Sequence, residues 1–282
     1  MTIILRKKFL FLKWFSAIIL TVSCATHAKA QYHYSYIDSA EVYIKQEKWI
    51  QAENALINAL RTAPDNYNNS LILSNLATIQ RIQGKKKDAV NNYSLALTIT
   101  PNAVTLLNNR GQLYMEMDST ELAKKDFLKV MELDEKDVPS RCSMATILIR
   151  QGKPDEAHIL LNDVKRINAK RLEYREALAL YFEAKEKYED AIGQYDELLK
   201  SEPIATWHTC KAECYIALKD YSKAKDELNE ALKIDPSDSY LYLLKAKINK
   251  RQFQNDEMSR NMELAVRYGL SRKEVEEFIA NE

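Results

Sequence analysis

Glycine and proline are scarce, at 5 and 6 residues in a chain of 282. All-β folds spend both at their many turns, so a barrel or sandwich of this length is excluded. Five glycines also leave no material for a phosphate-cradling loop, and the P-loop, GxGxxG, GxSxG and HExxH patterns are absent. Neither charge sign is in excess: 41 Lys and Arg stand against 40 Asp and Glu. The basic surplus of a nucleic-acid binder is therefore missing. Of the four cysteines, Cys24 falls in the N-terminal leader expected over 1–30, so three would remain and no complete disulfide pairing is possible. What is present, 46% hydrophobic and 29% charged residues, is the composition of an ordinary folded chain, and with so few turn residues it points to helices.

Residues 1–30 differ from the rest. Arg6, Lys7 and Lys8 precede the apolar stretch Phe9–Val22, which Lys13 interrupts, and Ala28-Lys29-Ala30 supplies a small-x-small cleavage site. That order reads as a signal peptide cleaved after Ala30, because the stretch falls short of the ~20 apolar residues of a membrane span. Two other readings stay open. Cys24 follows Leu20-Thr21-Val22-Ser23, which resembles a lipoprotein box with its Leu one place too far away, and an uncleaved signal anchor has the same general composition. Export predicts a periplasmic protein, or an outer-membrane lipoprotein if Cys24 is lipidated, and lipidation would be its sole tie to a membrane. Cleavage removes five cations and no anions, leaving 36 against 40. Binding to nucleic acid is then less favoured still.

A repeat of 34 residues runs through the remainder. A small residue recurs at Ala52, Ala89, Ala123, Ala157, Ala191 and Ala224, then as Met258, in steps of 37, 34, 34, 34, 33 and 34. Four residues after each anchor comes a large apolar side chain: Leu56, Tyr93, Phe127, Leu161, Tyr195, Leu228, Met262. Twelve before each anchor lies another small residue: Ala40, Ala77, Gly111, Ala145, Ala179, Ala212, Ala246. Spacings of three, four and seven put such residues on one helix face, and small ones belong where two helix axes approach most closely. Pro64, Pro101, Pro203 and Pro236 stop the second helix in four of seven units. The first step of 37 places extra residues near Asp65–Asn69.

These residues resemble the tetratricopeptide-repeat (TPR) family, whose 34-residue helix pair carries W-x2-L-G-x2-Y, A-x3-F and a closing Pro. Tyr188-x2-Ala191-x3-Tyr195-x2-Leu198-x4-Pro203 follows it, as does Leu107-x2-Arg110-Gly111-x2-Tyr114 with Ala123-x3-Phe127, where Leu107 stands for Trp and Arg110 for Leu. The resemblance implies an all-α, right-handed superhelical solenoid of about seven repeats: 33–66, 70–103, 104–137, 138–171, 172–204, 205–238 and a degenerate 239–270. Ser271–Ile279 reads as a C-terminal capping helix within 271–282, with Ser271 and Glu274 at capping-box spacing and Val275, Phe278 and Ile279 covering the end of the stack.

No constellation for catalysis or for a cofactor emerges. Cys210 and Cys214 share a helix face, but His208 points away from them and a structural zinc site needs four ligands. They read as packed thiols, with a thiol- or metal-dependent role as the alternative. A peptide or partner protein held in the concave groove is the better reading, since the resemblance implies that the first helix of each unit lines it. Groove positions carried over are Asn108, Gln112 and Glu116 in the third unit, and Thr146 and Arg150 in the fourth. Glu176 and Glu183 follow in the fifth, then Lys247, Lys250 and Arg251 in the seventh. Amides among them can pair with a ligand's backbone. The Lys/Asn clamp of the chaperone-tail-binding members is absent, since its positions hold Ile37, Glu41, Ser74 and Thr78. The expected role is a non-enzymatic interaction scaffold, with an accessory subunit of an envelope assembly or secretion complex as the alternative.

Overall fold

The turns inside the repeats explain where the helices stop. In the computed structural model, which describes residues 31–281, Glu47, Gly84, Asp118, Gly152, Glu186, Lys219 and Phe253 all adopt left-handed backbone angles, with φ between 54° and 75°. Each lies five residues before an anchor, so the conformation recurs with the repeat. The amide of the next residue then reaches back across the turn, as Lys85 N does to Gln80 O at 2.8 Å and Asp220 N to Tyr215 O at 2.9 Å. This is the Schellman closure, which satisfies carbonyls left over at a helix end. Five of the seven residues are not glycine, so tertiary packing must hold a conformation that costs such side chains about 1–2 kcal/mol.

The described residues form two compact units, and no strand occurs among them. The first, 31–135, contains α1 (31–45), α2 (Trp49–Thr62), α3 (Asn69–Ile82), α4 (Lys86–Ile99), α5 (Val104–Glu116) and α6 (Thr120–Leu133). The second begins at Lys136 and contains α7 (Val138–Arg150), α8 (Pro154–Asn168), α9 (Leu172–Ala184) and α10 (Tyr188–Ser201). It continues through α11 (Ala205–Ala217), α12 (Tyr221–Ile234), α13 (Ser239–Arg251), α14 (Asn255–Arg267) and α15 (Arg272–Ala280). The expected leader, 1–30, and Cys24 lie outside the described residues.

Within each unit the repeating residues make the core. The six anchor alanines are fully enclosed, as are Phe127 and Leu228, while Leu56, Tyr93, Leu161 and Tyr195 are 1–2% exposed. Each of these large side chains contributes roughly 1.5–3 kcal/mol by leaving water. Gly111 shows why the opposing position must be small. A Cβ there would lie 2.6 Å from the Phe127 ring. The buried tyrosines also reach a polar partner on the first helix of their pair: Tyr93 Oη lies 2.9 Å from Thr78 Oγ1, and Tyr195 Oη donates to Glu183 Oε1 at 2.6 Å.

Two departures from regular repetition have local causes. The connection from α2 to α3 spans 63–68, longer than the others, and Asn69 Nδ2 ties it down by donating to Ala63 O and Pro64 O, both at 2.8 Å. At the other end, Met258 is only half-buried where an alanine would be enclosed. There α15 covers Leu243, Ala246 and Ala265 with Val275 and Ile279. Its start is a full capping box, in which Ser271 Oγ accepts from Glu274 N and Glu274 Oε2 accepts from Ser271 N at 2.7 Å.

Candidate functional site

The odd-numbered helices each present a face that their even-numbered partner does not cover. Counting back from each anchor, its side chains lie 18, 15, 11, 8 and 7 residues before it. In the first unit this face is rich in amides and hydroxyls. Thr78 of α3 is exposed and Ser74 half-buried, and Asn108 and Gln112 of α5 are half-buried. Glu116, at the end of α5, pairs with Arg81 of α3, and Lys86 Nζ donates to the Glu116 carbonyl at 2.9 Å. These contacts join α3, α4 and α5 and fix the orientation of Glu116.

In the second unit Thr146 is half-buried on α7, and Arg150 is exposed where that helix ends. Glu176 and Glu183 lie on α9. Glu176 reaches solvent but stands among protein on several sides, so burial, then the nearby Glu173, holds its carboxyl above the usual range. Burial raises Glu183 as well, against the hydrogen bonds from Tyr195 and Cys214 that favour its charged form. Lys247 and Lys250 of α13 serve a different end. Lys250 Nζ donates to the carbonyl of Ile279, and Lys247 Nζ lies 5.7 Å from the centre of the Phe278 ring. Both therefore help to seat α15, while Arg251 beside them is exposed.

Sequence reasoning passed over three residues of this face. Glu213 stands 11 before Ala224, as Gln112 does before Ala123, and it accepts from Tyr240 Oη at 2.6 Å. Glu173, 18 before Ala191, pairs with Arg171 at 2.6 Å. Tyr240, 18 before Met258, completes the set. Applying the repeat phase to every helix would have found all three.

The thiols offer little reactivity. Burial pushes Cys142 up to about 12, with Glu173 and Glu176 adding to the shift, and burial with Glu183 and Glu213 does the same to Cys210. Cys214 is raised as well. His208 Nδ1 lies 2.7 Å from Glu227 Oε2, turned toward α12. Among the described residues no three His, Cys, Asp or Glu side chains converge as metal ligands.

The tetratricopeptide repeat family models match residues 104–137 and 183–248. Among curated proteins, DnaJ homolog subfamily C member 3 of Gallus gallus is 30% identical over 170 residues, covering 54% of this chain and 33% of that protein. Anaphase-promoting complex subunit 3 of Schizosaccharomyces pombe (strain 972 / ATCC 24843) is 22% identical over 193 residues, 68% of this chain and 29% of that one. The chain thus spans about a third of the length of the curated relatives it matches. Among solved structures, a tetratricopeptide repeat protein from Parabacteroides merdae ATCC 43184 superposes with a TM-score of 0.73 at 22% identity, over 89% of this chain and 98% of that one. The Cut9–Hcn1 hetero-tetramer gives 0.66 at 13% identity, over 87% and 55%. Residues 104–137 and 183–248 are thus tetratricopeptide repeats, and the 34-residue phase and the helix-pair fold shared with tetratricopeptide-repeat proteins agree with them.

Proposed function

We propose that the protein is a non-catalytic interaction scaffold that holds a peptide or partner segment against the uncovered faces of its odd-numbered helices. One observation carries the reading: polar side chains at the recurring positions of this face stay accessible on helices whose other faces are enclosed. Thr78, Glu116, Arg150 and Glu176 are all exposed at such positions. Polar groups spaced along a row of helices suit an extended ligand, whose backbone amides and carbonyls repeat along its length. Incorporating a photoreactive residue at Thr78 or Thr146 tests it. Crosslinks to another protein are expected there, and none from Lys129 or Glu230 on the even-numbered helices. Equal yields at both sets would overturn the reading.

Service as a subunit of a larger assembly is the second reading. It is supported by the likeness to a protein named as a subunit of the anaphase-promoting complex. Export, on the pattern of residues 1–30, would place such an assembly in a bacterial envelope. N-terminal sequencing of the protein from fractionated cells should find Gln31 first, whereas an intact Met1 in the cytoplasmic fraction would refute export.

A further inference from the structure

The proposed groove acquires a chemistry in the second unit, an inference that rests on the scaffold reading above. At the groove phases, α9 and α11 carry Glu173, Glu176, Glu183 and Glu213, with no lysine or arginine among those positions. Glu183 and Glu213 accept from tyrosine hydroxyls, which leave their charge in place. Glu173 is the one member of the four with a salt bridge, to Arg171, among the described residues. Glu176 has no hydrogen bond or salt bridge there, and Arg150 acts on it only from a distance. The surplus of negative charge is felt by a neighbour, since burial and then Glu183, Glu213 and Glu176 push up the Cys210 thiol.

Glu176 also lines a cleft of about 480 Å³ between the start of α9, the end of α10 and the start of α11. Leu172, Leu198 and Trp207 form its apolar wall, Glu173, Glu176 and Glu202 its acid, and Lys170 and Arg171 also line it. An apolar wall with carboxylates at one side matches a long basic side chain, whose methylenes want an apolar surface and whose head wants an anion.

We propose that this cleft receives a lysine or arginine side chain of an extended partner peptide, with the stem along Leu172, Leu198 and Trp207 and the cation on Glu176. The rest of that peptide would run along the acidic face of α9 and α11.

The test uses the full chain and a fluorescein-labelled peptide of alternating Ser and Lys, with Ser–Gln and Ser–Glu counterparts. Fluorescence anisotropy should show the Lys peptide binding about tenfold or more tightly than the Gln peptide, with the gap narrowing as salt rises. Glu176→Lys, at an exposed position that leaves the fold intact by circular dichroism, should reverse the order in favour of the Glu peptide. Lys129→Ala, exposed on the even-numbered helix α6, should leave the Lys preference unchanged. A Lys peptide no tighter than the Gln peptide, or an order unmoved by Glu176→Lys, would overturn the inference. If the Gln peptide binds equally well and Thr78 and Thr146 still crosslink, the scaffold reading survives and only the cation cleft falls. If no peptide binds and crosslinks scatter over the even-numbered helices, both fall.

Discussion

Arg110 of α5 grips Asp126 of α6 with both arms of its fork, Nε donating to Oδ2 at 2.8 Å and Nη2 to Oδ1 at 2.7 Å. Nη1 adds a bond to Ser94 Oγ of α4 at 3.0 Å, so one side chain ties three helices together. The family pattern has a leucine at this position. A buried ion pair is weak support for stability on its own, because desolvating both charges offsets their attraction. Breaking one side is another matter. Asp126→Ala should cost about 2–3 kcal/mol, since it strands a guanidinium that keeps only part of its water. Replacing both, Arg110→Leu with Asp126→Leu, should return stability to within about 1 kcal/mol of the parent. Urea unfolding of the single and double variants decides it, and a double variant as weak as Asp126→Ala would show that the pair is indispensable.

Gly111→Ala sets two known effects against each other. Alanine gains about 0.5–1 kcal/mol in a helix by restricting the unfolded chain. Here its Cβ would lie 2.6 Å from a Phe127 ring that is itself fully enclosed, and overpacking of that kind costs about 1–3 kcal/mol. Packing should win, and the melting temperature should fall. Adding Phe127→Leu should restore part of the loss by opening the space. A variant with an unchanged or raised melting temperature would mean that α5 and α6 can slide apart freely.

The repeat was legible because its defining residues are chosen by sterics that one chain displays seven times. Anchor alanines, the large residues four later and the cap after Ser271 all followed from spacing alone. The left-handed turn residues were not legible, since Glu47, Glu186, Lys219 and Phe253 are poor intrinsic choices whose conformation is imposed by the flanking helices. The partner of Arg110 was equally hidden, because a charge pair 16 residues apart leaves no periodic trace. Of the groove positions, the phase placed Glu176 and Glu183 on one face. It could not show that Lys247 and Lys250 serve α15, a contact across 29 residues for Lys250.

Glu183 ties stability to pH in an uncommon direction for a carboxylate. Burial raises its pKa in the folded chain above the ordinary value of 4.5, so the folded state holds the proton more firmly than the unfolded one. Its contribution is therefore most favourable below 4.5 and is lost as pH climbs from there to the raised value. Glu183→Gln keeps an oxygen acceptor for Tyr195 and removes the charge. The melting temperatures of parent and variant should coincide near the acid end and separate, with the variant higher, as pH rises toward neutrality. A constant difference across the range, or a variant that is weaker at neutral pH, would show that the hydrogen bond to the carboxylate outweighs its desolvation.

The last helix can be weakened in steps, which separates a structural lid from a dispensable tail. Ser271→Ala removes one half of the capping box and should cost about 1 kcal/mol, leaving α15 formed but frayed. Lys250→Met removes the bond to the Ile279 carbonyl at the opposite end of the same helix while keeping the stem that packs there. If α15 serves as the cover of the stack, the two losses should add, because the sites are far apart and share no partner. Deleting 271–282 should then expose Leu243, Met262 and Val266 together, and light scattering should report concentration-dependent association. A truncated chain that stays monomeric and melts with the parent would mean that α13 and α14 bury enough apolar surface by themselves, which the half-buried Met258 and Met262 argue against.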